Sequence, residues 1–234
     1  RDPLPTRRKP AHDRAGHPKP SPWKHVAMPA DPSPLAETTG LVLAGGQARR
    51  MGGVDKGLVE IAGRPMIEHV IDALRPQVGS LLINANRNAD RYTAYGFGVV
   101  PDSLEGFLGP LAGVLSGLEA IDTAFLLTTP CDSPLLAPDL AACMHASLAR
   151  EGADLAVAHD GERQQPVFLL LRRALAPDLR EYLAGGGRKI DLWFARHRLA
   201  EADLSHRRDS FINVNDPDER QRVEQLLLNR PPTG

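Results

Sequence analysis

Residues 40–56 read GLVLAGGQARRMGGVDK. The first part, Gly40-Leu41-Val42-Leu43-Ala44, is a short apolar run that stops at Gly45-Gly46, as a buried strand stops at a turn. Beyond it, four glycines, two arginines (Arg49 and Arg50) and Lys56 fall within a dozen residues of the strand end. Glycines let backbone N–H groups approach an anion closely. Arginine and lysine supply charge suited to phosphate oxygens. The stretch is neither a P-loop, which needs lysine directly after the last glycine, nor a dinucleotide fingerprint, which needs GxGxxG.

Further apolar runs predict strands at 80–85, 98–101, 124–129, 154–158 and 167–171. Between and after them, helical periodicity predicts helices over 65–77, 111–121, 138–150 and 217–229. In 65–77, Met66, Ile67, Val70, Ile71 and Leu74 share one face. Strands alternating with helices predict an α/β fold, Rossmann-like and three-layered, with a mainly parallel sheet. Ligands of such sheets bind at the carboxyl ends of the strands.

Residues near those ends are therefore the candidate site. Asp132 follows the run AFLLTT; it suits Mg²⁺, which takes one or two carboxylates plus phosphates and water, or a turn before Pro134. Asp102 ends the run at 99–101 and suits either a nucleotide contact or a helix cap. Asn84 and Asn86 alternate on one strand, so both amides can face the cleft. Asn213 and Asn215 alternate likewise, ahead of Asp216-Pro217, a cap followed by a first-turn proline. Gln164, Gln165 and Pro166 lie between two predicted strands, in a loop facing a second substrate or in a plain hairpin. Residues 185–189, GGGRK, suit either an anion site or a helix C-cap. Cys131 is explained by packing, and none of the eight histidines falls in a metal-ligand pattern.

The formal net charge of −1 joins two unlike parts. Residues 1–36 carry seven basic and three acidic side chains and nine of the 21 prolines. That composition predicts a disordered, Pro-rich basic tail, with 37–234 as one domain. The first methionine, Met28, suggests upstream sequence or an effect of start-site choice for the residues before it. No 7–15-residue apolar core follows the basic residues, so no secretory signal is expected. No run of about 18 apolar residues is present, which argues against a spanning helix. The whole-chain charge argues against a broad nucleic-acid surface. Two cysteines without a CxxC pattern fit a reducing cytoplasm.

LAGGQARRMGGVDK at 43–56 resembles the signature LAGGxxxRMGxxDK of the nucleotidyltransferases that activate small molecules with NTPs. Within that group the chain is similar to the molybdenum cofactor guanylyltransferases. NANRN at 84–88, PDSLEGFLGPLAG at 101–113, TPCDSP at 129–134 and FINVN at 211–215 carry the narrower likeness. The resemblance implies a nucleotide-diphospho-sugar-transferase-like fold and transfer of GMP from GTP to the phosphate of molybdopterin, with pyrophosphate released. It implies Leu43, Ala44, Gly45, Gly46, Lys56, Asn84, Asp102 and Asp132 as the GTP site. Asp132 would be the Mg²⁺ ligand, Arg50, Lys56 and Asp132 the catalytic groups, and Asn213 and Asn215 the molybdopterin side. Expected partners are a molybdenum-insertion protein and apo-molybdoenzymes or their chaperones, around a monomer. A cytidylyltransferase for the same cofactor, a sugar-phosphate nucleotidyltransferase and a non-catalytic GTP-binding adaptor are the competing readings.

Overall fold

The computed structural model describes residues 34–45, 55–104 and 109–229. Gly46 and Arg50 of the glycine-rich stretch, and 1–33 of the expected tail, lie outside the described residues. Residues 34–37 form a turn closed by Thr38 N–H on Leu35 O, and Leu35 packs on the core. The described residues thus begin slightly before the break in composition at 36.

The elements in chain order are β1 (Thr38–Leu43), β2 (Glu60–Ile61), β3 (Arg64–Pro65), α1 (Met66–Leu74), β4 (Ser80–Asn84), α2 (Ala89–Thr93), β5 (Gly98–Val100) and α3 (Pro110–Ala120). They continue with β6 (Phe125–Pro130), α4 (Leu140–Glu151), β7 (Leu155–His159), β8 (Gln164–Arg172), α5 (Ala176–Ala184), α6 (Ile190–Phe194), β9 (Leu199–Asp203) and α7 (Pro217–Leu228). Among the described residues, seven strands form one sheet in the order β5-β4-β1-β6-β8-β7-β9. β5, β4, β1 and β6 run parallel, and so do β7 and β9. β8 is antiparallel to both of its neighbours.

Alternate residues on the strands feed two helix layers, as a period of two demands. Val42, Leu127, Ala158 and Leu170 face α1 and α4. Leu41, Leu126, Val157 and Leu169 face α3, α5 and α6. The sheet is therefore buried on both sides, and the predicted three-layer, mainly parallel architecture is present.

The predicted helix at 65–77 ends as α-helix at Leu74 and finishes as a 3-10 turn, Arg75–Gln77, because Pro76 breaks the hydrogen-bond ladder. Gln164–Pro166, expected to connect two strands, belong to β8. The pairing jumps there from Val157↔Leu169 to Ala158↔Gln165, so Pro166 sits in a bulge, where its missing N–H is tolerated. The Thr128 hydroxyl donates to Val167 O and accepts from Leu169 N–H beside that bulge.

This topology creates a switch point. The chain steps from β1 outward through β4 to β5, then crosses back to lay β6 on the other side of β1. Crevices of this kind, at the carboxyl ends of diverging strands, are where open α/β sheets bind ligands. Leu43, Ala44 and Gly45 leave one side of it, and Cys131 and Asp132 leave the other. Cys131 N–H donates to Leu43 O and ties the two exits together.

Candidate nucleotide-transfer site

Lys56 begins a single 3-10 turn, Lys56–Leu58, that follows the glycine-rich stretch. Its ammonium lies 3.0 Å from Asp132 Oδ2 and donates to Asn215 Oδ1 at 2.6 Å. One side chain thus joins the end of the first loop, the end of β6 and the segment before α7, although Asn215 is 159 positions away. The side chains of Lys56 and Asp132 stay 27% and 15% exposed, so a ligand can reach them.

The segment 212–215 is held against the end of β6 by two further bonds. Val214 N–H donates to Asp132 O, and the Ser133 hydroxyl donates to Asn213 Oδ1 at 2.6 Å. Asp216 caps α7 by accepting from Glu219 N–H, while Glu219 Oε2 accepts from Asn215 N–H at 2.7 Å. This reciprocal arrangement satisfies the helix start and also fixes the backbone that presents Asn215.

On the β4 side, Asn84 is 2% exposed. Its amide nitrogen donates to Val100 O and to Asp102 Oδ1, and Asn86 Nδ2 donates to Asp102 Oδ2. Asp102 N–H in turn donates to Asn86 Oδ1. Both asparagines therefore grip one carboxylate. The Asn84 amide oxygen fills the space over Gly45 and Gly113: a Cβ at Gly113 would come within 2.3 Å of it, and one at Gly45 within 3.0 Å. Glycine at these two positions lets the loop and α3 close over Asn84. The structure thus brings Ala44, Gly45, Asn84 and Asp102 together, and Lys56, Asp132, Asn213 and Asn215 together. Gly46 and Arg50 lie outside the described residues.

Several supporting groups escape the sequence reading. Asp55, next to Lys56, is buried and accepts from Tyr92 Oη at 2.5 Å and from Asn88 Nδ2 at 2.9 Å. Burial first, then this bond to Asp55, pushes the Tyr92 phenol far up, so it stays a donor. The only sequence hint was an aspartate beside the lysine; its partners come from α2 and the turn before it. Burial also raises the Cys131 thiol well above its ordinary value, helped by the neighbouring charges of Asp132 and Asp55. That agrees with a packing role for the thiol.

Beside Asn213 and Asn215 opens a cleft of about 360 Å³, lined also by Arg163, Arg208 and Arg222 and by Asp160, Glu162 and Glu219. The Gln165 amide donates to Asp160 Oδ2, and Asp160 Oδ1 accepts the N–H groups of Glu162 and Arg163. This makes 160–163 an ordered rim to the cleft. Residues 185–189 lie elsewhere. Gly185 caps α5, and Arg188 donates to Leu183 O at 2.7 Å, so this stretch serves as a C-cap.

Comparison with known proteins places this arrangement among relatives. The model of the MobA-like NTP transferase domain matches residues 40–201. A molybdenum cofactor guanylyltransferase of Shewanella halifaxensis is 49% identical over 194 residues, covering 83% of this chain and 97% of that one. A protein of the same name from Shewanella sp. is 50% identical over 183 residues, or 78% and 93% of the two chains. Among solved structures, molybdopterin-guanine dinucleotide biosynthesis protein A from Archaeoglobus fulgidus superposes with a TM-score of 0.70 at 22% identity. It covers 82% of this chain and all of its own. The 4-diphosphocytidyl-2C-methyl-D-erythritol synthase of Anaerococcus prevotii reaches a TM-score of 0.64 at 12% identity, covering 85% and 100%. The two structures share the fold.

Proposed function

The chain belongs to the MobA-like NTP transferase family, and from that premise we propose that it is a molybdenum cofactor guanylyltransferase. It transfers GMP from GTP to the phosphate of molybdopterin, or of its molybdenum-loaded form, and releases pyrophosphate. The observation that carries this reading is the Lys56 ammonium held between Asp132 and Asn215. It joins the loop suited to a triphosphate to the segment that borders a second cleft, lined by charged side chains of both signs.

A phosphate nucleophile is already ionised near neutral pH, so no general base is required. The difficulty is bringing two polyanions together and stabilising charge on the leaving pyrophosphate, and positioning and fixed charge answer both. Lys56 would hold the GTP phosphates, exchanging its present carboxylate partner for phosphate oxygens. Asn84 and Asn86 orient Asp102 toward the nucleotide. Asn213 and Asn215 orient the pterin-bearing substrate at the cleft, and its phosphate is thereby aimed at the α-phosphorus. Arg50 is assigned to the leaving phosphates by its type and its place in the motif.

Mg²⁺ fits Asp132, a hard oxygen donor at a strand end that already accommodates a positive charge at 3.0 Å. When bound, the ion would neutralise charge on the triphosphate. We further propose a cytoplasmic monomer that receives its substrate from, or passes its product to, proteins of molybdoenzyme maturation. The direct test is incubation of the purified chain with molybdopterin, GTP and Mg²⁺, followed by identification of the dinucleotide and of pyrophosphate. Guanine dinucleotide and pyrophosphate in equal amounts are expected. Product only with CTP, or GTP binding without pyrophosphate release, would overturn the reading.

A further inference from the structure

The start of α4 faces the 3-10 segment Ser205–Phe211. Asp139 precedes α4, Cys143 lies one turn along it, and His206 comes from the facing segment. One ligand atom from each, a carboxylate oxygen, the thiol sulfur and a ring nitrogen, all fall within 4.8 Å of one another. His206 Nε2 already sits 3.0 Å from Asp139 Oδ2.

Asp139 is placed unusually. It occupies the N-cap of α4 yet makes no side-chain cap hydrogen bond, although an aspartate there ordinarily accepts from the first turn. Its carboxylate is turned to the imidazole instead. Oδ1 is shielded from water and accepts no hydrogen bond; its nearest charge is Arg207 Nε at 3.5 Å, on a side chain that is half exposed and able to swing out.

We propose that Asp139, Cys143 and His206 bind a divalent cation of the zinc class, with water in the fourth position. Zinc accepts thiolate, imidazole and carboxylate ligands together in tetrahedral geometry, at bonds of about 2.0–2.3 Å. Such bonds set ligand atoms roughly 3.3–3.8 Å apart, so small side-chain rotations close the site. As the cation enters, the Cys143 thiol gives up its proton to solvent, and the His206 ring binds through Nε2 in its neutral form with the remaining proton on Nδ1. Mg²⁺ prefers oxygen ligands alone, which keeps this site chemically separate from Asp132. The segment Ser205–Phe211 runs directly into Asn213 and Asn215, so a cation here would pin the start of that strap to α4.

Co²⁺ reports on such a site, because cobalt–thiolate bonding gives a charge-transfer band in the near ultraviolet. Titration of the reduced full chain with Co²⁺ is expected to raise this band, and Zn²⁺ is expected to remove it. Cys143→Ser should abolish the band and His206→Ala should weaken binding roughly tenfold or more, with Cys131 intact in both and circular dichroism unchanged. A band that survives in Cys143→Ser, or Co²⁺ uptake by the unaltered chain without any band, overturns the proposal.

Discussion

Lys56 separates what a residue does for stability from what it does for transfer. Its pair with Asp132 is partly exposed, and such pairs contribute only about 0–1 kcal/mol. Lys56→Met should therefore shift the unfolding temperature by no more than about 4 °C. The same change removes the charge proposed above to hold the phosphates, and losing one such donor typically costs a factor of about 10²–10³ in rate. Pyrophosphate release and thermal unfolding, measured on one preparation, check both halves; a variant that keeps its rate removes Lys56 from the mechanism. Lys56 and Asp132 stood out in the sequence because one closes the glycine-rich stretch and the other follows an apolar run, and the fold brings the two together. Asp55 was not legible as a buried anchor. Its partners, Tyr92 and Asn88, are 37 and 33 positions away, and nothing in local periodicity links them. Asn84 was legible as a polar strand end. That it spends its amide on Asp102 and Val100 depends on β4 and β5 lying side by side, which only the fold supplies.

At the scale of elements, the strands and helices with strong apolar runs fall close to where periodicity puts them, and the misses have physical reasons. β9 reads Leu-Ala-Glu-Ala-Asp, whose small alanines supply the buried face and give little hydrophobic signal. α5 interrupts its apolar pattern with Asp178, Arg180 and Glu181, and α6 is too short, at 5 residues, to show a helical period; the two join through Asp178, which accepts from Trp193 Nε1 and pairs with Arg196 and His197. Strand direction was the harder reading, since the apolar run in β8 looks the same whether it runs parallel or antiparallel. α7 shows how an element serves the site. Val223 packs with Val214, Ile61, Met66 and Leu135, and the Asp216–Glu219 exchange fixes Asn215. Asp216→Ala should cost about 1 kcal/mol, or roughly 2–4 °C in a chain of this size. It should also raise KM for the pterin substrate while leaving KM for GTP nearly unchanged. Steady-state kinetics with each substrate varied in turn tests this; equal rises in both constants would mean that α7 serves the whole fold and not that one segment.

For the molecule as a whole, pH and ligands test how its layers are joined. His145 on α4 packs edge-on against Phe125, and its Nε2 lies 2.8 Å from Thr38 Oγ1. The Thr38 hydroxyl gives its one proton to Pro34 O, so the ring N–H is the donor to Thr38. Burial, and then the charge of Arg172, lowers the His145 pKa from 6.5 to about 4. Because the folded value lies below the unfolded one, protons favour the unfolded chain. The stability tied to the neutral ring is complete above pH 6.5 and is lost as pH falls from there through about 4. Urea midpoints should fall across that window, and His145→Gln should flatten the slope. Ligand linkage reaches further, because the site is assembled from β1, β4, β6 and the segment before α7. GTP with Mg²⁺ should bridge these parts and resist their separation, adding about 2.7 kcal/mol at a hundredfold excess over Kd. In a chain of this size that is a rise of roughly 5–11 °C in unfolding temperature. CTP at equal concentration should give far less, and Lys56→Met should remove most of the GTP effect. Equal protection by CTP would mean that this crevice reads the triphosphate but not the base, and the assignment to guanylyl transfer would fall even with the fold and the phosphate site intact.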